Sequence, residues 1–204
     1  MDLSVRRISY ADTKPWILLK HYARRMPRVS YAFGAYLNSE MVGVCTYGVT
    51  ASPTLCTSVC GTEWRGHVLE LNRLCCNSIP NLASQIVGKS LQMLPKPCIV
   101  VSYADTRQGH VGYIYQATNW LYTGATPECN EYATANGTHS RNYTLGVVGR
   151  QRRSSKHRYV YLCGDRRQRR TLLQALKWPL VAYPKGQSLR YDASAAIVNQ
   201  AMLI

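Results

Sequence analysis

Cys98-Ile99-Val100-Val101-Ser102-Tyr103 is a run without charge, preceded by Pro97 and followed closely by Asp105. It is short enough for a strand, and its lack of apolar/polar alternation is the mark of a strand covered on both faces. A chain with such a strand at its centre must lay helices or loops over both sides of a sheet, so the expected class is mixed α/β. With 204 residues, 46% of them hydrophobic and 17% charged, the chain can bury a core and is not a disordered polycation. The expected organisation is one domain, 1–204.

The neighbouring segments fill in the layers. Residues 12–25 read as a helix capped by Asp12 or Thr13, with Pro15 in its first turn and Pro27 beyond its end. Residues 31–37 and 41–49 read as a hairpin joined through Asn38-Ser39-Glu40, and 50–66 as a loop. A strand over 68–76 is followed by the turn 77–81, with Asn81 as the cap of a helix to Leu94. Beyond Asp105, the spacing predicts a helix over 110–120 and a strand over 120–124. Residues 127–141 read as a long loop or loosely paired hairpin, and 158–163 as a strand. Asp165 then caps a basic helix over 166–177 with Leu172, Leu173 and Leu176 as its buried stripe.

Charge narrows the partners. There are 25 Lys and Arg against 10 Asp and Glu, a formal net charge of +15, and such a surface prefers polyanions, nucleic acid first. Nine of the 25 fall within 150–170, and Arg150, Arg152, Arg153, Lys156, His157, Arg158, Arg166, Arg167 and Arg170 are the candidate DNA contacts. No apolar run is long enough for a membrane span and the N-terminus has no signal-peptide pattern, so an intracellular, cytoplasmic protein is expected. The eight cysteines have poor zinc spacing and are expected to be reduced, with Cys45, Cys75, Cys98 and Cys163 as core residues.

Three places could carry chemistry. The strand–turn–helix junction of 71–94 could face a pyrophosphate, although 75–84 lacks the glycines of a phosphate loop. Asp105 lies where ligands sit in open α/β sheets, beyond a strand's carboxyl end, with Tyr115 about one and a half turns into the next helix. His21-Tyr22 lies on the first helix among basic residues. Each also has a bland reading: an ordinary connection, a loop cap, a helix histidine.

The segment 102–105 followed by Gly109-His110-Val111-Gly112-Tyr113-Ile114-Tyr115-Gln116 and continuing to Gly124 resembles the signature of the Mom-type adenine-modification proteins of phage Mu and related phages. His21-Tyr22, 70–74, Ser90 and 156–161 extend the likeness over most of the chain. The resemblance implies a mostly antiparallel α/β sheet like that of the GNAT N-acetyltransferases. It also implies a transferase that adds a methylcarbamoyl group to the exocyclic amino group of adenine in phage DNA, inside the infected host, guarding it from restriction. By the same resemblance His21, Tyr22, Asp105 and Tyr115 are the catalytic candidates. Arg73, Leu74, Cys76, Ser84 and Ser90 would hold the small-molecule donor, acetyl-CoA or a related acyl donor, and His21 with Asp105 could bind iron. A non-catalytic DNA-binding protein on this fold and a conventional N-acetyltransferase are the alternatives.

Overall fold

The computed structural model describes residues 2–134 and 146–186. The strands are β1 (Leu3–Arg7), β2 (Tyr31–Leu37), β3 (Glu40–Gly48), β4 (Val68–Cys76), β5 (Cys98–Asp105), β6 (Leu121–Ala125), β7 (Cys129–Thr134), β8 (Val147–Arg153) and β9 (Lys156–Cys163). The helices are α1 (Tyr10–Lys14), α2 (Pro53–Ser58), α3 (Leu82–Gln92), α4 (Tyr113–Ala117) and α5 (Arg166–Ala175). Seven strands form one sheet in the order β1-β2-β3-β4-β5-β9-β6, and β7 pairs with β8 in a separate two-stranded ribbon. Among the described residues only β4 and β5 pair in parallel, so the fold is mixed α/β with a mostly antiparallel sheet. Among the described residues no helix is long and apolar enough to cross a membrane.

The unbroken apolar run of β5 now has its explanation. Cys98 and Val100 face a core beneath α3 and α4, while Ile99 and Val101 face a second core beneath α2 and α5. All four are essentially buried, each worth roughly 1.5–3 kcal/mol for the larger aliphatic side chains. The cysteines at 45, 75, 98 and 163 are likewise buried with free thiols.

One junction shapes the site. β4 and β5 pair only over Val68–Glu70 and Ile99–Val101. Beyond that point β4 stays with β3 as far as Cys76, and β5 stays with β9 as far as Asp105. The sheet therefore opens into two halves along this seam. A bulge assists the divergence: Thr46 pairs with Arg73 and Tyr47 with Leu71, so Asn72 is the extra residue that bends β4. The Asn72 side chain accepts from Thr46 Oγ1 at 2.6 Å and donates to Arg28 O at 2.8 Å. Gly48 makes this approach possible, because a Cβ there would lie 1.8 Å from Arg28 O.

Several expectations are corrected. The first helix is capped by Ser9, with Asp12 completing a capping box, and after Lys14 it becomes a π-helix over Pro15–Lys20. Proline has no N–H for the α-helical ladder, and here the widened turn closes on His21 N–H to Trp16 O. The chain leaves the helix at His21 rather than at residue 25. β1, α2 and a 3₁₀ turn over Thr62–His67 were not expected. Asn81 stands at the N-cap of α3 in the left-handed region, φ 61°, and its side chain makes no cap bond. The helix expected over 110–120 shrinks to α4, because Gly112 with φ 81° delays its start. Residues 127–141 include β7, half of the ribbon, while 135–145 lie outside the described residues. On α5 only Leu172 is buried, and Leu173 is 46% exposed.

Candidate active site

The opening between β4 and β5 is a cavity of about 510 Å³. His21, Tyr22, Arg73, Leu74, Cys76, Ser84 and Tyr115 all line it. Two further candidates lie elsewhere. Ser90 is buried under the sheet, bonded to Tyr47 Oη at 2.6 Å and Val87 O at 3.0 Å. Asp105 is next to the lining residue Ala104, but its carboxylate faces the ribbon.

His21 and Tyr22 reach the cavity together because the π-helix ends just before them. Consecutive helical residues diverge by about 100°, whereas in this extended stretch the two rings stack with centroids 4.3 Å apart. His21 Nδ1 accepts from Ala23 N–H at 3.0 Å, so the neutral ring carries its proton on Nε2. Burial, and then the positive charges of Arg73 and His110, push its pKa down to about 3. The folded protein therefore binds fewer protons than the unfolded chain below about pH 6.5, and His21 lowers stability as pH falls from there towards 3. We expect the His21 ring resonances to stay constant in an NMR titration from pH 8 to pH 5, and a midpoint inside that range would contradict the buried neutral assignment.

Arg73 is held rather than loose. Its Nε and Nη2 donate to Arg25 O at 3.3 and 3.1 Å, and Nη1 donates to Asn72 O at 2.6 Å. Tyr22, 41% exposed, meets His110 in a T-shaped ring contact with centroids 6.3 Å apart. Burial and the nearby Asp105 charge raise the Tyr22 pKa, so its phenol stays protonated at neutral pH.

Two residues not foreseen as site members complete the wall. Ser102, on β5, has Oγ 2.9 Å from Leu71 O and 2.8 Å from Tyr115 Oη, and thereby bridges the two diverging strands to α4. The Tyr115 ring packs 5.0 Å from both Trp120 and Tyr159, and burial drives its pKa well above the usual phenol range. His110 also lines the cavity, and burial, partly opposed by Asp105, lowers its pKa, leaving it neutral at pH 7. Ser102 carried a readable signal: it follows four apolar residues in β5 and is the strand's one aliphatic hydroxyl, and a buried hydroxyl needs a partner.

Asp105 is a latch in this structure. Its Oδ1 accepts from Ser154 Oγ at 2.5 Å and from Arg107 N–H at 3.0 Å, and its Oδ2 pairs with Lys156 Nζ at 3.1 Å. Partial burial pulls its pKa up, but the Ser154, Lys156 and Arg107 interactions outweigh that and leave it below the usual carboxylate value. The iron expectation gains no support from this geometry. His21 Nδ1 and the Asp105 carboxylate already have partners, and among the described residues no group of three His, Cys, Asp or Glu could hold a metal.

The basic candidates also separate. Arg158 donates to Thr123 Oγ1 and O and covers the Trp178 ring at 3.7 Å. His157 Nδ1 bonds Tyr122 Oη at 2.8 Å, and Lys156 is paired with Asp105. These three hold the fold. Arg166, Arg167 and Arg170 are exposed on α5, and Arg150 and Arg152 are exposed on β8, with Arg153 partly covered.

Comparison with known proteins gives the family. A sequence profile described as the Mom protein family matches residues 2–185. The chain belongs to the Mom protein family. It is 33% identical over 132 residues to the methylcarbamoylase Mom of Escherichia phage Mu, a match covering 61% of this chain and 54% of that protein. The chain thus matches about half the length of this Mom relative. Similar solved structures include the ribosomal-protein-S18-alanine N-acetyltransferase from Escherichia coli, with a TM-score of 0.48 at 9% identity, covering 80% of this chain and 95% of that one. Another is a Bacillus subtilis acetyltransferase in complex with CoA, with a TM-score of 0.47 at 11% identity, covering 79% and 99%.

Proposed function

We propose that this Mom-family protein is a phage DNA-modifying transferase that adds a methylcarbamoyl-type group to the exocyclic amino group of adenine and so shields DNA from restriction. The observation that carries the reading is the cavity where β4 and β5 part, which joins the edge of β4 that β5 leaves, a buried phenol and neutral imidazoles in one chamber beside a basic ribbon. The Mu relative's name supplies the group transferred.

The cavity suits a donor carried on an extended, amide-bearing arm of the kind found in CoA. Beyond Glu70, β5 no longer pairs with β4, and the edge that it leaves at Arg73–Cys75 can meet an amide-containing arm. Asn77 Oδ1 is buried without a hydrogen-bond partner among the described residues, a ready acceptor at the end of that edge. The α3 N-terminus near Ser84 also opens here, with backbone N–H groups and a partial positive charge suited to phosphate. Acyl transfer alone would leave an N-acetyl amide on adenine; a methylcarbamoyl product needs a donor whose methylene already carries the carboxamide, and the bond from the adenine nitrogen to that methylene would form as the methylene's bond to the departing group breaks.

The protein's own residues would handle the protons. The amino group of adenine is a weak nucleophile because its lone pair is delocalised, and it must lose a proton as the new bond forms. His110, neutral and on the cavity wall, is the proton acceptor we assign. Tyr115, protonated and braced by Ser102, is the proton donor we assign for the departing group. Tyr22 gives a stacking surface for a base brought out of the duplex, with His21 fixed behind it. Arg73 keeps positive charge at the donor side.

Mass spectrometry of nucleosides from DNA co-expressed with the full chain tests the reading. The expected product is deoxyadenosine heavier by one methylcarbamoyl group. Acetylated amines with unmodified DNA would point to a conventional N-acetyltransferase, and DNA binding with unmodified DNA to a non-catalytic binder.

A further inference from the structure

The basic run 150–170 is one patch in the sequence and two in the fold. β9 starts opposite Asp105 and ends opposite Cys98, at the other end of β5, roughly 24 Å away at about 3.4 Å per residue. α5 follows β9, so Arg166, Arg167 and Arg170 set out from the end of the sheet remote from Asp105. The ribbon precedes β9 and joins the sheet at the near end.

The ribbon has two unlike faces. Register places Tyr132 opposite Arg150 and Asn130 opposite Arg152, and directly opposed residues share a face. The Arg150 guanidinium lies over the Tyr132 ring at 5.6 Å. Arg152 pairs with Glu128, an exposed contact of the kind a phosphate can replace at little cost. On the other face Gln151 donates to Glu131 at 3.4 Å. Between the ribbon and the end of β5 lies a polar cleft of about 490 Å³ that includes Arg107, Arg152 and Ser154. Ala104 lines the cavity and Thr106 lines this cleft, and between them Asp105, bonded to Ser154, together with Thr106, bonded to Ser155 O at 2.7 Å, fixes the ribbon's base.

We infer that the ribbon face bearing Asn130, Tyr132, Arg150 and Arg152 is the docking surface for duplex DNA, gripping the backbone next to the adenine presented to the cavity. This rests on the DNA-modifying reading above. Complementary charge and proximity carry the argument, and a two-stranded ribbon has the width to follow the major groove. The basic turn of α5, at the far end, is not part of this contact.

The test is fluorescence anisotropy of the full chain on a short adenine-containing duplex over a range of salt. The variants are Arg150→Gln/Arg152→Gln, Arg150→Lys/Arg152→Lys and Arg166→Gln/Arg170→Gln. The ribbon Gln pair should bind at least tenfold more weakly, with the slope of log affinity against log salt lower by about 2. The Lys pair should keep the wild-type slope, and the α5 pair should stay within about twofold of wild type. An α5 pair that loses binding while the ribbon Gln pair keeps it overturns the inference, as does a Lys pair as weak as the Gln pair. Wild-type protein that binds and modifies DNA with the ribbon Gln pair unaffected overturns the ribbon assignment alone. Wild-type protein that neither binds the duplex nor modifies adenine overturns the DNA reading beneath it.

Discussion

Replacing Tyr115 by Phe is expected to slow adenine modification by about 10²-fold or more while the protein stays folded. The ring is held by Trp120 and Tyr159, each 5.0 Å away, and Phe preserves that packing. Only the hydroxyl is lost, and with it the 2.8 Å bond to Ser102. Ser102 still has Leu71 O at 2.9 Å, so no buried hydroxyl is orphaned and the structural cost stays near the usual ~1 kcal/mol of one hydrogen bond. The measurement is the initial rate of modified-nucleoside formation beside a thermal melt. A Phe variant with wild-type rate would remove Tyr115 from the proton-transfer role, and one that melts early would make the residue structural.

Asp105→Ala should cost about 2–4 kcal/mol of stability at pH 7, since it leaves the Lys156 ammonium, 28% exposed, without its partner and frees Ser154. The sign of the pH dependence follows from the lowered pKa. The folded state holds Asp105 ionised more firmly than the unfolded chain does, so its stabilisation is complete above the unfolded value near 3.9 and fades as pH falls through the lower folded value. Urea melts of wild type and variant should therefore converge at acid pH, and a gap that stays constant from pH 7 to well below 4 would contradict the latch. The same variant distinguishes two roles. A latch predicts weakened DNA binding together with slower modification, because the ribbon loses its anchor. A catalytic base predicts slower modification with binding untouched.

The sequence carried the sheet's central strands well. β4 and β5 could be read from Val68–Cys76 and from the apolar run at 98–103 because burial leaves a direct trace in residue type. β1 and α2 left weaker traces. Leu3–Arg7 is an edge strand with two exposed arginines, and Pro53–Ser58 is too short for a helical period to emerge. The two readings of 127–141 as loop or hairpin differed only in pairing, and pairing depends on β8, which lies beyond that stretch.

By itself the sequence determined the mixed α/β class and the net charge of +15, and the resemblance it carries singled out His21, Tyr22, Arg73 and Tyr115, all of which line one cavity. The tertiary structure decided their company. The π-turn after Pro15 moved His21 and Tyr22 off the helix, and the three-residue pairing of β4 with β5 opened the cavity. Register turned Asp105 from the cavity towards Ser154 and Lys156, and the length of β9 divided one basic run between two ends of the sheet. Strand pairing and crossing distance join residues far apart in the chain, and for that reason no local pattern encodes them.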